Sequence, residues 1–417
     1  MIPKLDEYKA KWNVKSDDSI KPGLTAIQNA LNHLNNPQND LNIVHIAGTN
    51  GKGSTLAFIE SISMEHGLTV GKFTSPCIKD VHDQIQINGK PIAEIDLDEV
   101  FKIMHDAQLS GLLTDFELLT CAALIYFFNK KVDLVLFEAG MGGLEDSTNV
   151  VVPIVSIIPS IALEHTKFLG NSIESIARHK AGIIKHERPV IVGKLPIEAN
   201  KIIEQESVNK NSILYRLGHQ FHVRFQNEGD LYVNRERTIQ ISGLKRSLIG
   251  EHQGENMALA ITAFLEVAKF FQMNWDEEKV RKGVYAAIVP GRFEQVMENV
   301  YLDGAHNPAS AEKLAQTIKH QFPNEPIRFV IGMLADKDVK SVLKILETVS
   351  DEFYFINFTN SRAMKAEEMI NLSNATKKYV INDFSSFIKS VSFKECKTIV
   401  TGSLYLLTEL RDKILGD

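Results

Sequence analysis

Three cysteines stand in 417 residues, Cys77, Cys121 and Cys396. They are odd in number, scattered and without metal-site spacing, which argues against a disulfide framework and a cysteine-based zinc site. No apolar run reads as a membrane span: the stretches near Cys121–Phe128 and Val150–Ile158 are too short or broken by Pro153. The opening MIPKLDEYKAKW lacks the apolar core of a secretory signal. Positive charge is not in excess either. Lys and Arg number 46 against 52 Asp and Glu, a net charge of -6, so no global field attracts nucleic acid. An anionic substrate must be held by local Lys and Arg clusters. These absences lead to the expectation of a cytoplasmic protein without nucleic-acid or membrane partners.

What remains is a globular composition, 44% hydrophobic and 24% charged, in a chain long enough for two domains. Short β-rich runs alternate with amphipathic stretches. Leu41–Ala47, Leu68–Phe73, Val132–Phe137, Ile154–Ile158 and Pro189–Val192 read as strands, with helices between them, for example over Asp115–Asn129 and Ser172–His179. This pattern predicts a mainly parallel sheet with helices on both faces. His219–Ile241 alternates polar and apolar residues around Asn-Glu-Gly-Asp turn chemistry, which predicts antiparallel hairpins. A second βαβ series follows Pro290-Gly291, with strands at Val300–Leu302, Arg328–Ile331, Glu352–Ile356, Tyr379–Ile381 and Thr398–Val400. The expected fold is therefore α/β: a phosphate-loop domain over residues 1–292 with a small antiparallel section, then a smaller Rossmann-like α/β domain over 293–417.

One segment carries chemistry by itself. The strand ending at Ala47 runs into Gly48-Thr49-Asn50-Gly51-Lys52-Gly53-Ser54-Thr55 and then a helix to about His66. Glycines let backbone N–H groups face phosphates, the helix start adds its positive dipole end, Lys52 adds a charge and Ser54 or Thr55 a hydroxyl. Only two residues separate Gly48 from Gly51, so this is not the strict GxxxxGK[ST] form. Other residues remain open individually. Glu138 ends a buried strand where parallel sheets bind ligands and where Mg²⁺ could be held against phosphates, or it is a solvated acid. His165 follows the apolar run Ile154–Leu163. Lys180 could be a helix-end cation favoured by the dipole. Arg292 and the run Asp303–Pro308 place charge near the domain junction, a favoured place for ligands.

Taken in order, several motifs resemble a known family. They are GTNGKGST, TSP at Thr74–Pro76, DFELLT at Asp115–Thr120, EAGMGG and DSTN within Glu138–Asn149, RHKAGI at Arg178–Ile183, HQGEN at His252–Asn256, PGRFE, LDGAHNP, IGMLADKD at Ile331–Asp338 and TGSLYLL at Thr401–Leu407. From about residue 20 onward the chain resembles folylpolyglutamate synthases, often also dihydrofolate synthases, of the Mur ligase superfamily. The resemblance implies that Thr49, Asn50, Gly51, Lys52, Gly53, Ser54, Asn256, Arg292 and Asp303, with His306 beside them, bind ATP. It implies one Mg²⁺ on Ser75 and Glu138, a second on His165, and a carbamate on Lys180. Lys52, Glu138, His165 and Lys180 would carry catalysis. Thr114, Asp115, Phe116, Glu117, Glu145, Asp146 and Ser147 would line the pterin pocket.

The implied reaction is ligation of L-glutamate to a reduced folate, or to dihydropteroate, through an acyl phosphate. Closure of the second domain would bring Arg292 and Asp303 onto ATP and keep water from that intermediate. A monomer working on small molecules is expected. Leu144, Asp83-Gln84 and Cys77 stand where the family commonly has Arg, a Glu-Arg pair and His; they leave the acceptor open, not the ligase chemistry. Two other readings are a cell-wall Mur ligase acting on a UDP-sugar, and a phosphate-loop kinase or ATP-binding module. The 47 residues before Gly48 are few for the separate uridine-binding domain of the former.

Overall fold

Continuous apolar runs make strands that are covered on both faces. A computed structural model describes residues 2–77, 79–390 and 396–415. In it Ile43–Ile46, Leu134–Glu138, Val155–Ile158 and Val190–Val192 are buried at every position. Side chains alternate across a strand. Ile43, Val135 and Phe137 join one core with Phe101, Leu118 and Phe127, while Val44, Ile46, Leu134 and Leu136 are fully buried outside that cluster.

The chain divides into two units, Met1–Ser247 with Gln253–Ala287, and Leu248–His252 with Ile288–Asp417. The division falls a few residues before the expected 292/293, because the helix Glu277–Ala286 packs on the helix Lys52–Glu65, where a Cβ on Gly283 would meet Ile62 Cα at 2.6 Å. Unit 1 holds an eight-stranded sheet in the order Leu214–Arg216, Val190–Val192, Val155–Ile158, Ile43–Ile46, Leu134–Glu138, Val70–Phe73, Ile85–Ile87, Lys90–Pro91. The first six run parallel and the last two pair antiparallel. Ile43–Ile46 lies at the centre, between strands that come later in the chain on either side, which is the switch point where such sheets bind ligands. The expected hairpins form a three-stranded antiparallel sheet of Phe221–Arg224, Asp230–Asn234 and Ile239–Leu244. Unit 2 holds Glu294–Met297, Val300–Asp303, Lys397–Thr401, Ile327–Ile331, Glu352–Ile356 and Lys377–Ile381 in that order, parallel except for the first strand. This is the expected α/β class.

Some elements lie outside the sequence expectations. The helix Glu251–Phe270 is buried at nearly every position from Gln253 to Ala268, so it shows no apolar stripe to read. The strands Ser16–Asp17 and Leu113–Thr114 pair in parallel and are too short for periodicity.

His45 lies within the central strand with its ring fully buried and Nε2 2.9 Å from Thr148 Oγ1. Burial, with Lys185 adding to it, pushes its pKa down to about 3. Between that value and the ordinary one near 6.5 the unfolded chain binds a proton that the folded one refuses. Unfolding free energy should therefore fall as pH drops through this window, by about 1.4 kcal/mol per pH unit for this group. Urea unfolding at pH 6.5 and pH 5 checks it. The slope should shrink in His45→Gln, and an unchanged slope would show that this imidazole is not the group responsible.

Candidate active site

The phosphate loop sits at the end of the central strand because Ile43–Ile46 carries it there and the helix Lys52–Glu65 leads it away. Its conformation is imposed by the loop after Val155–Ile158. Thr49 N donates to Ser160 O at 3.0 Å, and Asn50 N donates to Ser160 Oγ at 2.9 Å. Ser160 Oγ donates back to Asn50 O at 2.9 Å, and Ala162 N donates to Thr49 Oγ1 at 3.0 Å. Gly51 caps the helix at φ 90°, where a side chain is strained, and a Cβ there would lie 2.6 Å from Asn256 Oδ1. Asn256 is in turn fixed by Gln253 Oε1, 3.0 Å from its Nδ2. A Cβ on Gly53 would meet nothing within 4 Å, and Ser54 is buried.

Lys52 folds back over this loop. Its Nζ donates to Gly48 O at 2.9 Å and lies 3.8 Å from Glu138 Oε1. Glu138, 5% exposed, ends the neighbouring strand. Ser75 follows Thr74, whose amide is bonded to Gln84 O at 3.0 Å. Carboxylate and hydroxyl oxygens suit Mg²⁺, which takes one or two protein oxygens and completes its shell with phosphates and waters. Among the described residues no three His, Cys, Asp or Glu side chains gather to hold a metal. His165 caps the short helix Thr166–Leu169 at φ 47°.

Lys180 is not a solvated helix-end cation. It is 1% exposed and its Nζ donates to Glu164 Oε1 at 2.8 Å. Burial lowers its pKa, opposed by the attraction of Glu164 and aided by Lys52. Burial alone would raise Glu164, but Lys180 first, then Lys52 and His165, carry it down to about 2. Lys52, Glu138, Glu164, His165 and Lys180 thus share one electrostatic neighbourhood at the strand ends. Glu164 was not among the sequence candidates. Its position just before His165, after an apolar run, was the available signal.

The helix that follows Thr114 meets the stretch Glu145–Ser147. Thr120 Oγ1 lies 2.7 Å from Ser147 Oγ, and the Phe116 ring stands 5.7 Å from Phe73. Gly140 leaves room for that ring, since a Cβ there would meet Phe116 Cζ at 2.6 Å. Several polar side chains also hold local structure. Thr114 and Glu117 form a capping box, and Asp115 is paired with Lys9. Asp146, its pKa raised by burial, accepts from Thr148 N at 3.0 Å and Met141 N at 2.8 Å. Glu145 is exposed.

Within unit 2, Arg292, Asp303 and His306 come together through two interlocked turns. Asp303 accepts from Phe293 N and Ala305 N, both at 2.9 Å, and Gly304 N donates to Gly291 O at 2.8 Å. A Cβ on Gly304 would lie 2.9 Å from an Arg292 guanidinium nitrogen. Burial raises the pKa of Asp303, with Arg292 opposing. His306 Nδ1 is 2.8 Å from Gly304 O.

Gly51→Ala should displace Asn256 and strain the helix start, with a cost of roughly 1–3 kcal/mol. Calorimetric titration with a non-hydrolysable ATP analogue should show affinity reduced about tenfold or more. Wild-type affinity in this variant would mean that Gly51 and Asn256 do not shape the nucleotide site.

Comparison with known proteins places this geometry. The Mur ligase middle domain model matches residues 46–264, and the dihydrofolate synthetase C-terminal domain model matches residues 292–413. The dihydrofolate synthase/folylpolyglutamate synthase of Bacillus subtilis is 37% identical over 411 residues, 95% of each chain. The folylpolyglutamate synthase of Lacticaseibacillus casei is 32% identical, covering 93% of each. Among solved structures, Escherichia coli FolC in complex with DHPP and ADP superposes with a TM-score of 0.89 at 29% identity, covering 98% of this chain and 97% of that one. With both family models in register and relatives aligned over nearly their whole length, this chain belongs to the dihydrofolate synthase/folylpolyglutamate synthase family, within the Mur ligases.

Proposed function

We propose that this chain is an ATP-dependent ligase that joins L-glutamate to a reduced folate, or to dihydropteroate, through an acyl phosphate. The observation that carries this reading is the buried Lys180–Glu164 pair, 2.8 Å apart, at the same strand ends as Lys52 and the phosphate loop.

The substrate carboxylate oxygen attacks the γ-phosphorus of ATP, and ADP leaves. The glutamate amine then attacks the acyl carbon, the carbon–oxygen bond breaks, inorganic phosphate leaves and the amine loses a proton. Activation is required because a carboxylate is a poor acyl donor at neutral pH. The first step is phosphoryl transfer, which is governed by positioning and charge neutralisation. Loop amides and Lys52 hold the phosphates. Ser75 and Glu138 would hold one Mg²⁺ and His165 a second, which when bound neutralise phosphate charge. Asn256, Arg292, Asp303 and His306 are assigned to ATP. Thr114–Glu117 and Glu145–Ser147 are assigned to the pterin acceptor. Lys180 is assigned a carbamate, formed from its neutral amine and CO₂ with loss of one proton; the bond to Glu164 belongs to the unmodified amine and would be given up when the carbamate forms. Burial supports the carbamate by lowering the pKa and so enlarging the neutral fraction.

A cytoplasmic monomer acting on small molecules completes the proposal. Among the described residues no helix is long and apolar enough to cross a membrane.

Release of ADP and phosphate should require both L-glutamate and a pterin acceptor. Dihydropteroate, tetrahydrofolate and methylenetetrahydrofolate, each with ATP and labelled glutamate, define the acceptor; nucleotide turnover indifferent to both co-substrates would overturn the ligase reading. Lys180→Ala should abolish ligation while ATP still binds, and a small carboxylic acid should partly restore activity by standing in for the carbamate. Normal turnover without the added acid would remove Lys180 from catalysis.

A further inference from the structure

The N-terminal helix Leu5–Lys11 takes no part in the chemistry above, yet two of its side chains are bonded to segments flanking the proposed acceptor. On one side, Tyr8 Oη lies 2.9 Å from His82 Nε2, and His82 Nδ1 lies 2.7 Å from Asp80 Oδ1. The carboxylate accepts the Nδ1 proton, which leaves Nε2 to accept from the tyrosine hydroxyl. All three side chains are buried, and burial pushes Tyr8 up to about 12, so its hydroxyl stays a donor. Val81 N donates to Pro3 O at 3.1 Å, and Lys4 Nζ lies 3.2 Å from Asp80 Oδ2. The turn Val81–Gln84 then holds Thr74 through Gln84 O at 3.0 Å.

On the other side, Lys9 Nζ lies 2.9 Å from Asp115 Oδ1, which also accepts from Ser16 Oγ at 2.5 Å. Asp17 pairs in register with Thr114. Asp115 begins the helix that carries Phe116, and Phe116 meets Phe73, the residue before Thr74. The two attachments therefore converge on one neighbourhood.

Anchoring alone does not require this polar chain. Leu5 and the Tyr8 ring already sit in the hydrophobic core. Burying a hydroxyl, an imidazole and a carboxylate adds a desolvation cost that apolar contacts would avoid, and returns directional constraint instead. We propose that the helix Leu5–Lys11 is a positioning element for the pterin acceptor, with Tyr8 acting through His82 and Asp80, and Lys9 acting through Asp115. This rests on the assignment of Thr114–Glu117 to the acceptor, which the turn Val81–Gln84 reaches through Thr74 and the contact of Phe73 with Phe116. The phosphate loop has its own bonds to Ser160 and Ala162, so it does not share this dependence.

The test is initial-rate kinetics of the full chain with Tyr8→Phe, Lys9→Met and Lys9→Arg, varying tetrahydrofolate or dihydropteroate and, separately, ATP. Tyr8→Phe keeps the ring packing and removes only the hydroxyl. Tyr8→Phe and Lys9→Met should each raise the acceptor KM about tenfold, the scale of one buried or charged hydrogen bond, with the KM for ATP within about twofold. Lys9→Arg should recover most of the acceptor KM. A lower melting temperature with every KM unchanged, or an equal rise in the KM for ATP, would overturn the positioning role. Wild-type chain without acceptor-dependent turnover would overturn the acceptor assignment itself, before any variant is compared.

Discussion

The phosphate loop owes its shape to the chain segment that follows the neighbouring strand. Thr49 is bonded to Ala162 and Ser160, and Asn50 exchanges two bonds with Ser160. A glycine-rich loop loses much conformational entropy on ordering. These bonds supply that order from within the protein. They also carry forward along the chain, because the same short segment ends in Glu164 and His165. The bonds that shape the loop and the carboxylate that meets Lys180 therefore lie on one short stretch, Ser160 to Glu164.

Glu164 and Lys180 show what that stretch makes tolerable. A lysine that is 1% exposed is costly to keep charged, and the cost is offset only by a well-placed anion. Removing one partner of such a pair typically destabilises by about 3–5 kcal/mol.

The segments proposed to hold the acceptor are organised differently. Their side chains are largely spent on local structure, as in the capping box of Thr114 and Glu117 and the turn built on Asp146. Rigidity there depends on partners distant in sequence, among them Lys9 and Ser16 on Asp115.

The sequence by itself determined the parallel strands, the loop between Gly48 and Lys52, and the family, because buried runs and glycine spacing are local properties. Glu138 and His165 were visible as candidates because they follow apolar runs at strand ends. Lys180 was legible as a residue but not as an environment: nothing around Arg178–Ile183 says that its amine is buried against Glu164. The tertiary structure decided that pairing, the clasp between Thr49 and Ala162, and the bonds from Tyr8 and Lys9 to residues 74 and 106 positions away. Each joins groups far apart in sequence whose meeting depends on strand order and helix packing, and a strand's own residues carry no record of which neighbour lies beside it.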